Sequence, residues 1–310
     1  MSSNSITDRS YLNDDDFWSI RQLCVDTYPI TGLGWNWELR RWDGARFHNY
    51  DPTPNPLWHK TIHLWETASG QLAGAANQDG EGWFYLQIHP AFRPDIEEVM
   101  ISWCEENLFA VEQETGKKVL QAEVWDYDAP RKRILEARGY EMQDYGGMVR
   151  RMYLVTPQIP EAALAEGYTL AEIDPQSLDD CQRMANLLNA AFNRSIHQGK
   201  ELQNFYQLAP SIRPDLHLVA AAPDGSFAAH VAAIYDPQNH RALYEPVCTH
   251  PDHRRKNLAQ CLMFETMRRV KALGAKQITV DTGDMIPANR FYDAMGFTEA
   301  YKSHVWKKTY

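Results

Sequence analysis

The sequence predicts an α/β protein of the α+β kind, built as two tandem domains of similar plan. Three observations carry this prediction: short apolar strands joined mostly by hairpin turns, amphipathic helices set between them, and two blocks that recur in the same order in each half. At 310 residues the chain is long for one domain and ordinary for two.

In the first half, apolar spacing predicts a helix from about Asp14 to Thr27. Strands follow near Thr61–Glu66, Leu72–Asn77 and Trp83–Ile88. A helix over roughly Ile96–Glu112, a strand at Val119–Val124, a short helix from Pro130 and a strand near Met148–Leu154 complete it. In the second half, Tyr168–Ile173 reads as a strand, and Ser177 is placed to cap a helix reaching about Asn193. His217–Ala222 and Phe227–Tyr235 are strands joined by the turn Pro223-Asp224-Gly225. Another strand covers Ala242–Thr249. A helix then runs from about Leu258 to Ala272, with Gly274 just past its end as a C-terminal cap. The strand Gln277–Asp281, a short helix Pro287–Met295 and a strand ending at Val305-Trp306 close the chain. Between the halves, Thr156–Gly167 carries two prolines and small residues and reads as a linker. The expected organisation is one domain over 5–155, the linker over 156–167 and a second domain over 168–310.

The recurrence is specific in register. Pro130–Tyr140 aligns without a gap on Pro287–Phe297, with Pro, Arg, Ala and Gly coinciding. Upstream, Ile88–Arg93 aligns on Thr249–Arg254, sharing His-Pro and the terminal Arg. Two blocks in one order indicate a duplicated domain.

Composition narrows the function. Apolar residues make up 44% and charged residues 23%, enough apolar material for two cores. A net charge of −10 argues against nucleic acid or an anionic membrane as the main partner. No run of about 18 apolar residues is present, and the acidic start of the chain lacks the apolar core of a signal peptide. The five cysteines are scattered, with no close Cys/His spacing for a metal, so no metal is expected and a reducing cytoplasm fits.

Against this acidic background, Val247–Ala259 is a basic strand-to-helix turn. A helix N-terminus presents unsatisfied N–H groups and a partial positive charge, which together suit a pyrophosphate. Arg254, Arg255 and Lys256 add formal charge beside it. Asn257 is one of the few non-glycine residues that tolerates a left-handed backbone, and Ala259 lets a ligand approach closely. Downstream, Asn289 and Tyr292 are three apart and share a helix face.

These residues resemble the GNAT superfamily of N-acetyltransferases. Its pyrophosphate loop carries Gln or Arg, then Gly three positions on, then Gly or Ala; here Arg254, Asn257 and Ala259 stand in those places, with Asn257 departing from Gly. Pro287–Phe297 is similar to a second family motif, in which an Asn and a Tyr on one helix, here Asn289 and Tyr292, face the thioester. The resemblance spans about fifty residues of the second half. It implies two tandem GNAT folds, each a mixed, mostly antiparallel, splayed sheet flanked by helices. It also implies acetyl-CoA as cosubstrate, held by Val247, Cys248, Thr249, Arg254, Arg255, Lys256, Asn257, Leu258, Ala259, Asn289 and Tyr292. Tyr292 is the implied acid toward the leaving thiolate and Glu245 the implied base toward the amine. The acceptor is then a small-molecule or peptide amine, with neither nucleic acid nor membrane as partner. Pro246, in the strand, agrees with a sheet that opens there. A non-catalytic acyl-CoA-binding or regulatory protein is the alternative, motivated by Asn257 and by the first half.

In the first half, Arg93-Pro94-Asp95-Ile96-Glu97-Glu98 stands opposite Arg254–Ala259, while Lys132 and Leu135 occupy the places of Asn289 and Tyr292. Acidic residues suit a helix start but repel phosphate, so this half is expected to be a degenerate copy without cofactor binding. The arrangement resembles tandem proteins such as the mycothiol synthase group. The insert Thr31–Trp58 carries Trp35, Trp37, Trp42 and Trp58 interleaved with Arg40, Arg41 and Arg46. It is expected to pack between the domains; the other reading is an aromatic wall for the acceptor.

Overall fold

The computed structural model describes residues 5–31, 34–51, 56–154, 158–161, 163–283 and 285–310. Positions 156, 157 and 162 of the expected linker, and 32–33 and 52–55 of the tryptophan-rich insert, lie outside the described residues. The chain is mixed α/β with mostly antiparallel strands, and it divides into two units. The first holds Met1–Trp42, Pro54–Met148 and Tyr301–Tyr310; the second holds Asp43–Thr53 and Val149–Ala300. The sequence suggests a linear boundary, whereas the units are assembled out of chain order. Strand pairing is non-local, and local periodicity carries no record of it.

In the first unit, β1 (Ile6–Ser10), β2 (His63–Thr67), β3 (Leu72–Gln78) and β4 (Phe84–Ile88) form an antiparallel sheet in that order. The helices α1 (Asp14–Thr31), α2 (Leu39–Phe47) and α3 (Pro56–His59) lie between β1 and β2 in the chain. After β4 come α4 (Arg93–Asn107), β5 (Ala110–Val111), β6 (Lys118–Trp125), α5 (Ala129–Ala137), β7 (Glu141–Met142) and β8 (Met148–Tyr153). The helix expected to reach Glu112 stops at Asn107, and the chain turns there into the two-residue strand β5. The unit's core gathers Met100, Ile101 and Cys104 of α4 against Phe84, Leu86, Leu120, Leu135 and Trp306.

The insert's tryptophans pack within this unit. Trp42 is fully buried, stacks on Phe17 at 5.6 Å and donates from Nε1 to the Phe17 carbonyl at 3.0 Å. Trp37 lies 4.6 Å from Tyr85, Trp58 lies 5.4 Å from Trp42, and the Arg93 guanidinium sits 4.2 Å over Trp35. Such aromatic contacts dominate small cores because each ring removes a large area from water.

The second unit contains β9 (Thr169–Glu172), α6 (Leu178–Ala191), α7 (Gly199–Leu208), β10 (His217–Ala221), β11 (Phe227–Asp236), β12 (Arg241–Thr249), α8 (Leu258–Ala272), β13 (Gln277–Asp281) and α9 (Ile286–Ala294). Its strands lie in the order β8-β13-β12-β11-β10-β9, antiparallel except for the parallel pair β12–β13. The last strand, β14 (Glu299–Thr309), pairs with β6 of the first unit, while β8 pairs with β13 of the second. Both faces of the second sheet are covered. Leu218 and Ala220 of β10 pack with the α8 core and Val219 with the α6–α7 core, following the two-residue alternation of a strand. Ser177 caps α6 as expected, accepting from Asp180 N at 3.1 Å.

The duplication is visible in backbone detail. His89 Nδ1 accepts from Ala91 N at 3.2 Å and His250 Nδ1 from Asp252 N at 3.3 Å, each in the turn that leads toward the helix that follows. At the far end of the repeat, Gly139 and Gly296 both take positive φ, 82° and 93°. Tyr140 N returns to Leu135 O at 2.9 Å and Phe297 N to Tyr292 O at 3.0 Å, each closing the last helical turn by a left-handed cap.

The charges at the start of α4 are neutralised internally. Arg93 donates to Glu97 at 2.6 Å and to Asp128 at 2.6 Å, and Arg131 donates to Glu97 at 2.6 Å, all four side chains being buried. Burial alone would push the Glu97 carboxyl up; Arg131 and Arg93 overcome this and hold it below the ordinary carboxylate range. Its stabilising effect is therefore complete above that range and disappears as pH falls through the depressed value. Replacing Glu97 by Gln leaves two buried arginines with Asp128 as their one carboxylate, and the first unit should lose about 3–5 kcal/mol at neutral pH. Urea unfolding should show this loss shrinking as pH drops below about 4, whereas Glu98→Gln at the exposed neighbouring position should unfold like the parent.

Candidate active site

The second sheet opens beside β12. Its parallel pairing with β13 runs from Arg241 to Tyr244 and ends there, while pairing with β11 continues to Thr249. The register with β11 shifts between Val231 and Ala233, opposite Glu245-Pro246, so β12 bulges where its second partner leaves. Pro246 follows a cis peptide bond and has no N–H, which a bulge at an open edge accommodates. Beyond it the register is regular. His250 N donates to Ala228 O at 2.8 Å, toward β11. Alternation then turns the Val247 and Thr249 N–H groups toward the open edge.

That edge leads into the basic turn. Pro251–His253 forms one 3-10 turn, and Arg255 and Asn257 both adopt left-handed backbone, with φ of 65° and 57°. Asn257 is the N-cap of α8, so the residue standing in the glycine position takes the conformation a glycine would supply. The first intrahelical bond runs from Cys261 N to Asn257 O at 3.0 Å, leaving the N–H groups of Leu258, Ala259 and Gln260 to point out of the helix start. Leu258 anchors this start in the core at 2% exposure. Arg254, Arg255 and Lys256 are exposed around it. Arg254 reaches Ala191 O at 3.3 Å, and Lys256 Nζ donates to the Tyr168 hydroxyl at 2.7 Å, which in turn meets His253 Nδ1 at 2.8 Å. Tyr168 thus braces the turn, a role that a sequence reading of it as a strand residue does not suggest.

Tyr292 on α9 is buried beside Phe291 and Phe297, with ring centroids 5.3 and 5.6 Å away. Burial holds its phenol pKa well above the ordinary tyrosine value, and the nearby Cys248 and Asp281 add to this. The phenol is protonated at neutral pH. Burial likewise pushes the Cys248 thiol up to about 12, so it is a thiol and not a nucleophilic thiolate. Glu245 is partly exposed at the bulge.

Asn289 has a different environment from that of a ligand contact. Its Oδ1 accepts from Arg150 Nε at 2.6 Å and Thr282 Oγ1 at 2.8 Å, and its Nδ2 donates to Gly283 O at 3.1 Å and Met285 O at 3.0 Å. Arg150 also reaches Phe297 O at 3.2 Å and pairs with Asp293. Asn289 fixes the start of α9 and so aims Tyr292, one turn on. The sequence separates Arg150 from Asn289 by 139 positions, which hides this partnership.

The structure therefore gathers Leu258 and Tyr292 in one core cluster, with Val247 packed against it and Cys248 near Tyr292. Glu245 and Thr249 lie on the same strand as Val247, Arg254–Asn257 lead into the helix start at Leu258 and Ala259, and Asn289 is one turn before Tyr292 on α9. In the first unit the corresponding helix start is filled by the Arg93–Glu97–Arg131–Asp128 network, and Arg93 has no charge left for a phosphate.

The sheet that opens beside a basic helix start belongs to a GNAT-type fold. Residues 181–297 match the acetyltransferase (GNAT) family, and the whole chain has a tandem GNAT fold. The fold is similar to that of a GCN5-related N-acetyltransferase from Sphaerobacter thermophilus, with a TM-score of 0.65, 18% identity and coverage of 98% of this chain and 95% of that one. It is also similar to a tandem GNAT protein from the clavulanic acid biosynthesis pathway, at a TM-score of 0.67, 15% identity and 98% coverage of both chains. No curated protein sequence matches the chain.

If Asn257 serves as the left-handed hinge of the phosphate turn, Asn257→Gly should bind acetyl-CoA at least as tightly as the parent. Asn257→Val should weaken binding by about 1–2 kcal/mol through backbone strain. Calorimetric titration of both variants tests this; equal affinities would remove the conformational role.

Proposed function

We propose that the protein is a cytoplasmic acyl-CoA-dependent N-acyltransferase, moving acetyl from acetyl-CoA to a primary amine of a small molecule or peptide. The observation that carries this reading is the open β12 edge running directly into the basic, left-handed start of α8. An acyl-pantetheine chain fits the edge as an added strand would, pairing with backbone at Val247 and Thr249. Its pyrophosphate then meets the N–H groups of Leu258 and Ala259 amid Arg254, Arg255 and Lys256. Asn257, the main motive for a non-catalytic reading, supports binding once its backbone is considered. Among the described residues no helix is long and apolar enough to cross a membrane.

The chemistry is direct attack. The amine loses a proton to Glu245, directly or through water, and its nitrogen attacks the thioester carbon. A backbone N–H of the open edge stabilises the oxyanion of the tetrahedral intermediate. The C–S bond breaks as the intermediate collapses; Tyr292 donates a hydrogen bond to the departing sulfur, which leaves as thiolate and takes its proton from solvent as it departs. A covalent acyl-cysteine route through Cys248 is disfavoured by the raised pKa of its thiol.

Free-thiol release with acetyl-CoA across a panel of amines tests the reading. Binding of acetyl-CoA without turnover on any amine would favour a regulatory protein instead. Tyr292→Phe should keep acetyl-CoA affinity and lower kcat about 10²-fold; an unchanged kcat across pH would make the tyrosine structural. Glu245→Gln should lower kcat/KM and remove the limb of the pH–rate profile that reports the base, and retention of both would exclude Glu245 from proton transfer.

A further inference from the structure

A second site lies in the same unit, built from residues that the transferase reading does not use. His48 belongs to Asp43–Thr53, the stretch of the first half that falls in the second unit. His197 precedes α7, and Glu201 is in the first turn of that helix. One ring nitrogen each of His48 and His197 and a Glu201 carboxylate oxygen converge so that all three ligand atoms lie within 4.8 Å of one another. Their side chains are 16%, 9% and 8% exposed. His48 Nδ1 contacts Glu201 Oε1 directly, and His197 Nδ1 lies 3.4 Å from each carboxylate oxygen.

Each group is fixed by its own clamp. Asn189 holds the His197 backbone from both sides, accepting from its N–H at 3.0 Å and donating to its carbonyl at 2.9 Å. Glu201 Oε2 accepts from Gln198 N at 3.2 Å, closing the capping box at the start of α7. Asn204 Nδ2 donates to Asn49 O at 2.9 Å and Tyr50 O at 2.7 Å, holding the loop that carries His48, whose ring packs 4.7 Å from Phe205. These contacts fix the backbone of His197, the loop that carries His48 and the Glu201 carboxylate, so the three groups are held near one another by the fold.

We propose that His48, His197 and Glu201 bind a divalent zinc-class cation that fastens the 43–53 segment to the α6–α7 pair. Two imidazoles and one carboxylate form a nitrogen–oxygen donor set suited to zinc. Bonds of about 2.0–2.1 Å place tetrahedral ligands about 3.3 Å apart, close to the 3.4 Å between His197 and Glu201, while His48 Nδ1 lies closer than this to Glu201 Oε1 and draws back to admit the ion. The cation takes the place of the hydrogen between His48 and Glu201, and a water completes its shell. A search for compact spacing overlooks the site because His48 and His197 are far apart in the chain and only the fold joins them.

The full chain, stripped with a chelator, desalted and titrated with zinc chloride alone, provides the test, with metal content read by mass spectrometry and unfolding by calorimetry. One zinc per chain is expected, together with a raised unfolding temperature. His48→Gln, His197→Gln and Glu201→Gln should each weaken zinc binding at least tenfold, while His89→Gln should not. Glu201→Gln keeps a side-chain acceptor for the α7 cap, so its loss of zinc is separable from loss of the helix. Less than one zinc on the parent chain, or parent-like affinity in a folded Glu201→Gln, would overturn the proposal. None of these readouts depends on acetyl transfer.

Discussion

The second unit is organised by the place where β12 loses one partner and keeps the other. Up to Tyr244 the strand is hydrogen-bonded on both sides; beyond it, β11 alone continues to Thr249. An unpaired strand edge is normally a liability, because its N–H and C=O groups invite another chain. Here the unpaired stretch is short, begins at a bulge and a proline, and ends in a turn whose left-handed residues swing the chain into α8. The same geometry that exposes the backbone also delivers a helix N-terminus a few residues later. Recognition of an extended acyl chain and of a pyrophosphate can then arise from one continuous segment, with few side chains committed to either.

The two halves show how little separates such a site from an inert copy. Both share the histidine-capped turn, the helix that follows and the left-handed glycine closing the repeat. What differs is charge and backbone freedom at one helix start. In the second unit three basic residues lie exposed around free N–H groups. In the first, Pro94 removes a donor and Glu97 turns inward to neutralise Arg93 and Arg131. A buried carboxylate held by two guanidiniums is costly to desolvate and retained only with its partners in place. At this helix start the first unit holds an internal counter-ion, and the helix start contributes to the core.

Much of this was legible in the sequence. The α8 boundaries Leu258 and Ala272 coincide with the expected ones, because an apolar face, a left-handed N-cap and a C-terminal glycine mark both ends locally. The conformational tolerance of Asn257 was legible for the same reason. Features that depend on distant partners were not. The helix α7 is not marked in the sequence, because its polar-rich stretch Gly199–Leu208 shows apolar spacing over less than three turns. The out-of-order assembly of the units escaped notice because β8 and β14 are ordinary strands whose partners are not encoded in their own periodicity. Asn289 is legible as a motif residue by resemblance, but its engagement with Arg150 and Thr282 depends on partners that only the fold brings near.

The burial of Tyr292 and Cys248 bears on how the proposed reaction divides its labour. A phenol shifted upward is a poor acid toward a thiol of ordinary pKa, so full proton transfer in the ground state is uphill. It is nonetheless an effective hydrogen-bond donor in a site of low dielectric, where a donor aimed at developing negative charge gains strength as that charge forms. The raised Cys248 pKa acts in the same direction by keeping a competing nucleophile silent beside the thioester. An apolar lining that lifts both values would favour the path in which the amine attacks directly and charge appears only on the oxyanion and the departing sulfur. The pocket's chemistry would then be set less by a strong acid or base than by the exclusion of water around a few fixed donors.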